Sequence, residues 1–204
     1  MDPVHLSVVL PCYNQAPYLQ KNMQEIFSYL RAQAFSFEVL VVNDGSADGT
    51  KNLLGELQKE YPFVLLQHAK NLGKGQAVKT GVLAAQGTYI LFLDADLAIP
   101  ITETPKFLRI LEDQPEVSIA IASRFVQGHR ELVPVLWYRR ILERGFSLLR
   151  RYIIGLSNIQ DTQCGYKMFR REAARVVFSL MTRQRFSFDA EILFIAQKNK
   201  LDLQ

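Results

Sequence analysis

Apolar positions along the chain alternate between two patterns. Short, mostly apolar runs lie at Leu6–Leu10, Phe37–Val42, Phe63–Gln67, Tyr89–Leu93 and Val117–Ala122. Runs of this length, rich in Val, Ile, Leu and Phe and bounded by turn residues, read as buried strands. Between them the apolar residues take helical spacing. Tyr18–Arg31 carries Leu19, Met23, Ile26, Phe27 and Leu30 on one face. A helix capped by Ser46 or Asp48 is expected to run through Leu57, another over Gly73–Ala85, and one from Thr102 or Glu103 to Leu111. This alternation predicts an α/β fold, a mostly parallel sheet flanked by helices.

Past residue 124 the pattern changes. Gln127–Val133 is polar and reads as a loop. Leu136–Ile159 has a long helical pattern, with Trp137, Ile141, Phe146, Leu149, Ile153 and Ile154 apolar and Arg139, Arg140, Arg144, Arg150 and Arg151 basic. Such a helix can lie in a membrane interface, where anionic lipid adds roughly 1 kcal/mol per basic residue. It can equally pack on the domain surface. Asp161–Lys167 reads as a loop, and Phe188–Glu191 opens a helix whose first turn holds Asp189 and Glu191, favourable to its dipole. Leu201–Gln204 looks like the start of a strand, so the natural C-terminus is expected beyond Gln204.

Composition narrows the class. The 204 residues are 49% hydrophobic and 22% charged, which is globular and suits one domain. A net charge of +4 tolerates phosphate-bearing partners without calling for nucleic acid. Two cysteines, Cys12 and Cys164, make no disulfide scaffold, and reduced thiols are expected. Met1-Asp2-Pro3 begins no secretory leader, and no apolar run reaches the roughly 18 residues that span a bilayer.

The strand ends carry the candidate chemistry. In a parallel sheet the carboxyl ends share one edge, where open α/β folds bind ligands. Tyr13 and Asn14 follow the first strand, Asn43, Asp44 and Ser46 the second, Asp94 and Asp96 the fourth, Ser123 and Arg124 the fifth. A tyrosine ring can stack on a nucleobase, and a carboxylate can accept from a base or ribose donor. Asp94 and Asp96, with Ala95 between them, repel unless a cation intervenes. Mg²⁺ or Mn²⁺ takes one or two carboxylates and completes its shell with water and phosphate oxygens. Asn71-Leu72-Gly73-Lys74-Gly75 opens a helix with glycines that let backbone approach a phosphate, and Lys74 can neutralise it. Taken singly, each strand-end residue reads more readily as a turn, cap or packing residue, and Lys74 equally well as a solvated surface lysine. His5, His68 and His129 have no metal-ligand spacing.

Together these stretches resemble family 2 glycosyltransferases of GT-A fold. The matching segments are LPCYN at 10–14, VVNDGSADGT at 41–50, NLGKGQAVKTG at 71–81 and LDADL at 93–97, with DTQCGYKMF at 161–169 and FDAEILFIA at 188–196. The last two are similar to the polyprenyl-phosphate branch, the dolichyl-phosphate glucosyltransferases above all. The resemblance implies a nucleotide-sugar-binding half, 1–124, and an acceptor-side half, 125–204. It assigns Pro11, Tyr13, Gln15, Val42, Asp44, Lys74, Asp94, Ala95 and Arg124 to the nucleotide sugar, of UDP-glucose or GDP-mannose type. Asp94 and Asp96 would hold Mg²⁺ or Mn²⁺, Arg124 would clamp the diphosphate, and Asp161 would position acceptor or metal. Arg130, Lys167 and Asp189 would face a polyprenyl phosphate. The implied activity is inverting, metal-dependent hexose transfer, glucose first, at the cytoplasmic side of a membrane. Three positions depart from the family pattern. Gln15 and Asn43 stand where relatives have carboxylates, and Ala98 stands where many have a polar residue. Transfer to a hydroxyl acceptor, and nucleotide-sugar binding without turnover, remain alternatives.

Overall fold

The computed structural model describes residues 3–123 and 162–204. Within them the chain runs β1 (Leu6–Cys12), α1 (Ala16–Arg31), β2 (Phe37–Asn43), α2 (Thr50–Leu57), β3 (Val64–Gln67), α3 (Lys74–Ala84), β4 (Tyr89–Leu93), a 3₁₀ turn (Ile101–Glu103), α4 (Thr104–Asp113), β5 (Val117–Ile121), β6 (Tyr166–Arg170), α5 (Arg171–Leu180), α6 (Phe188–Lys198) and β7 (Asp202–Leu203). The described strands form one sheet in the order β3-β2-β1-β4-β6-β5-β7. β1, β2, β3 and β4 are parallel, as is the β5–β7 pair. β6 is antiparallel to both its neighbours.

Period-two alternation divides the strands between two cores. Val8, Val39, Val41, Leu91 and Met168 face the layer with Leu19, Met23, Phe27 and Leu54 of α1 and α2. Val9, Leu40, Ile90, Phe92 and Phe169 face the other layer, with Val78 of α3, Val177 of α5 and Ile192 of α6. Both faces are therefore covered, as continuous apolar strands require. The expected α1 stripe is buried in full, and Asn22 is buried with it.

One expectation is corrected. The run ending at Lys167 was expected to be a loop, but Tyr166–Arg170 is a strand inserted between β4 and β5. A lysine in a short apolar run argues against a central strand, and only a buried counter-charge reverses that. Lys167 is 0% exposed and is ion-paired to Asp189 of α6, while its ammonium also donates to the Cys164 carbonyl at 2.7 Å. The Leu136–Ile159 helix and the polar loop before it lie outside the described residues.

Candidate active site

The carboxyl ends of β1, β2 and β4 open on a cavity of about 380 Å³. Pro11, Tyr13, Gln15, Asp44, Lys74, Asp94, Ala95 and Asp96 all line it. The fold thus brings together eight of the residues singled out from sequence. Val42 is buried in β2 and is not among the lining residues, because its β-branched side chain belongs to a sheet face. Arg124, Arg130 and Asp161 lie outside the described residues.

The loops after β1 and β2 are tied to each other. The Asn14 N–H donates to Ser46 Oγ at 3.0 Å, and the Ala47 N–H donates back to Asn14 Oδ1 at 3.0 Å. The Gln15 N–H donates to Thr50 Oγ1 at 2.9 Å. Ser46, a candidate helix cap, is used in this lacing instead. Asp48 accepts from the Thr50 N–H at 3.0 Å, just before α2 begins, and its hydrogen bond with Thr50 holds its carboxyl below the ordinary range. Tyr13, 45% exposed, stands at the cavity rim as a result.

Asp44 plays a deeper part than a surface acceptor. Its carboxylate is buried and accepts the N–H groups of Leu72 (2.9 Å) and Gly73 (2.8 Å), and His68 Nδ1 lies 2.7 Å away. His68 Nε2 reaches Thr80 Oγ1 of α3 at 3.0 Å. Asp44 therefore shapes the loop that launches α3. Gly73 has φ 104°, and a Cβ there would meet the Gln184 carbonyl oxygen at 2.5 Å. Only glycine satisfies both conditions. His68, dismissed as a metal ligand by spacing, has a scaffolding part here that no local pattern announces.

Asp94 sits between β4 and the residue that leads into β6. Its N–H donates to the Gly165 carbonyl at 3.0 Å. The Gly165 Cα lies so close that an added Cβ would fall 1.9 Å from Asp94 Oδ2. Lys74 Nζ donates to Asp94 Oδ2 at 2.9 Å and is 2.7 Å from Oδ1. That second approach is an ion-pair contact, and among the described residues the buried Oδ1 accepts no further hydrogen bond. Burial pushes the Asp94 carboxyl above the usual carboxylate range; Lys74 opposes this, while Asp96 and Asp189 reinforce it. Asp96 is exposed and accepts the Ala98 N–H at 3.1 Å, which closes the turn. Leu97 between them takes φ 51°, a conformation that costs a non-glycine residue about 1–2 kcal/mol. Asn22 of α1 donates to the Ala95 carbonyl at 2.6 Å and braces the turn from below.

The donor set fits a hard divalent ion. It offers two carboxylates on one turn, facing space for phosphates. No group of three or more His, Cys, Asp or Glu gathers among the described residues, so water and substrate oxygens would complete the shell. Lys167 and Asp189, expected to meet an acceptor, are instead paired with each other in the interior. Arg185 and Phe186, not singled out from sequence, line the cavity from the α5–α6 loop. Phe186 is 73% exposed there. That loop is held by Glu191, which accepts from the Thr182 and Arg183 N–H groups.

A mostly parallel sheet with a carboxylate turn at the carboxyl end of a central strand is the GT-A arrangement of nucleotide-sugar transferases. The chain belongs to glycosyl transferase family 2, whose profile matches residues 7–178. It is 37% identical over 210 residues to the human dolichyl-phosphate beta-glucosyltransferase, covering 97% of this chain and 64% of that protein. It is 36% identical to a dolichyl-phosphate beta-glucosyltransferase of Trichomonas vaginalis, covering 97% of this chain and 63% of the relative. The chain therefore spans a little under two thirds of those relatives. Among solved structures it is similar to glucosyl-3-phosphoglycerate synthase from Mycobacterium tuberculosis in complex with Mn²⁺, UDP-glucose and phosphoglyceric acid. The TM-score is 0.71 at 18% identity, covering 98% of this chain and 69% of the other. At that identity the likeness is one of fold.

Proposed function

We propose that the chain transfers glucose, with inversion, from UDP-glucose to a polyprenyl phosphate of dolichyl type at the cytoplasmic face of a membrane. The observation that carries this reading is the Asp94–Asp96 turn, which brings two carboxylates to the cavity at the carboxyl end of β4 beside Lys74. The names of relatives 30–37% identical over nearly the whole chain support the sugar and the acceptor. Tyr13 and the cavity wall behind it would take the nucleoside, and Lys74 and Arg124 the diphosphate. A divalent ion held by Asp94 and Asp96 would neutralise charge on the departing diphosphate. A phosphate monoester acceptor is already anionic at neutral pH, so the site needs orientation more than a base. Arg130 and Asp161 would place that phosphate, and residues 136–159 would lie against the bilayer. No helix among the described residues is long and apolar enough to cross one.

The test is incubation with UDP-glucose or GDP-mannose, vesicles carrying dolichyl phosphate, and Mg²⁺ or Mn²⁺. Glucose in the lipid extract is expected from UDP-glucose, lost on chelation and in Asp96→Ala. Binding of UDP-glucose with no product in any fraction would refute transfer. Sugar on a hydroxyl acceptor alone would refute the lipid assignment.

A further inference from the structure

Two lysine–carboxylate pairs flank the Phe92 ring, each ammonium 5.6 Å from its centroid, and they are built differently. Lys167 and Asp189 are an internal pair: the lysine side chain is 0% exposed, the aspartate 5%, and a backbone carbonyl takes a further ammonium proton. Lys74 and Asp94 face the cavity, with side chains 23% and 25% exposed. Among the described residues Lys74 Nζ has Asp94 as its one hydrogen-bond acceptor, and otherwise rests 5.6 Å from the Phe92 ring centroid. The first pair is locked by burial and a third partner. Among the described residues the second is held by its own attraction and the Phe92 ring, on a flexible four-carbon stem facing the cavity.

That ammonium spans both oxygens of Asp94, at 2.7 and 2.9 Å. A divalent ion using Asp94 needs the same oxygens. Ammonium and metal cannot share them, because like charges at such separations repel strongly where water is scarce. A nucleotide diphosphate entering the cavity supplies the missing alternative, an anion to which Lys74 can turn. We propose that Lys74 is an exchangeable counter-ion: in the nucleotide-free protein it occupies Asp94 and keeps divalent metal binding weak, and an arriving diphosphate draws it off and frees the carboxylate for the ion. Metal and nucleotide then assist each other's binding, with one shared side chain as the coupling element. This rests on the assignment of Asp94 as a metal ligand made above.

The experiment titrates Mn²⁺ into nucleotide-free protein and reads the free ion by its paramagnetic resonance signal. Lys74→Met is expected to bind Mn²⁺ about tenfold or more tightly than the unmodified chain, a typical size for such coupling. Lys74→Gln is a second uncharged variant, and circular dichroism checks that each is folded. Asp94→Asn is expected to lose the ion. If both Lys74 variants bind Mn²⁺ no more tightly while Asp94→Asn loses it, the counter-ion role is overturned and the metal ligand stands. If Asp94→Asn binds as the unmodified chain does, the metal assignment itself falls. If neither Lys74 variant folds, the pair is structural and the proposal is overturned.

Discussion

Gly165→Ala is the sharpest perturbation the site offers, since it adds one carbon and no charge. That carbon would fall 1.9 Å from Asp94 Oδ2 and 2.1 Å from Asp94 Cγ. Atoms at Cβ positions do not approach others within 3.0 Å, so the carboxylate or the chain at residue 165 must retreat by about 1.1 Å. Metal–ligand distances tolerate about 0.2 Å. The displacement is therefore several times what an ion can follow. A carboxylate end can rotate away, so the cost to the fold is the usual one for overpacking, about 1–3 kcal/mol. The cost to the site is of similar size: a misplacement near 1 Å reduces turnover by about a hundredfold, about 2.7 kcal/mol. Urea unfolding measures the first, the transfer rate the second, and Mn²⁺ titration reports the displaced carboxylate itself. A folded Gly165→Ala protein with unchanged Mn²⁺ affinity would refute the reasoning, because Asp94 would then not be held against Gly165 in its metal-binding position.

Other perturbations test the parts around the site. Lys167→Met strands a buried Asp189 carboxylate and is expected to cost about 3–5 kcal/mol, whereas Lys167→Met combined with Asp189→Leu should recover most of it; denaturant midpoints decide. Burial pushes the Cys12 thiol up to about 12, so the folded chain keeps its proton where the unfolded chain has lost it. Stability is therefore lost as pH rises from about 9 towards 12, at about 1.4 kcal/mol per pH unit, and Cys12→Ala should flatten that slope relative to the unmodified chain. A Cβ at Gly55 of α2 meets nothing within 4 Å, and Gly55→Ala should stabilise the fold by about 0.5–1 kcal/mol in thermal melts.

The parallel half of the sheet was legible because its strands are apolar runs and its helices have clean stripes. Leu19, Met23, Ile26, Phe27 and Leu30 all proved buried. The cavity was legible because polar residues at the ends of parallel strands converge whatever the loop details. Pairing across the chain was not. β6 was hidden because Lys167 breaks the apolar run, and the charge that permits it, Asp189, lies 22 residues on. Gly165 carried no sign of its role, which depends on β6 lying beside β4. His68 gave no signal, since its partners come from β2, its loop and α3. Asn22 did give one: a polar residue on the buried stripe of α1 must find a partner, and it finds the Ala95 carbonyl. Two residues assigned from the resemblance are placed by the fold away from the cavity lining. Val42 is buried within β2, and the Lys167 ammonium turns to Asp189 of α6 and the Cys164 carbonyl.

In the proposed function Asp94 and Asp96 seat a divalent ion against a nucleotide diphosphate. Crystals of the chain grown with Mn²⁺ and UDP, measured at a wavelength where manganese scatters anomalously, test it most directly. One strong anomalous peak is expected about 2.0–2.6 Å from oxygens of both carboxylates, with the diphosphate on its far side and Lys74 turned from Asp94. A manganese peak elsewhere, or a diphosphate bound with Asp94 still paired to Lys74 and no ion beside it, would contradict it.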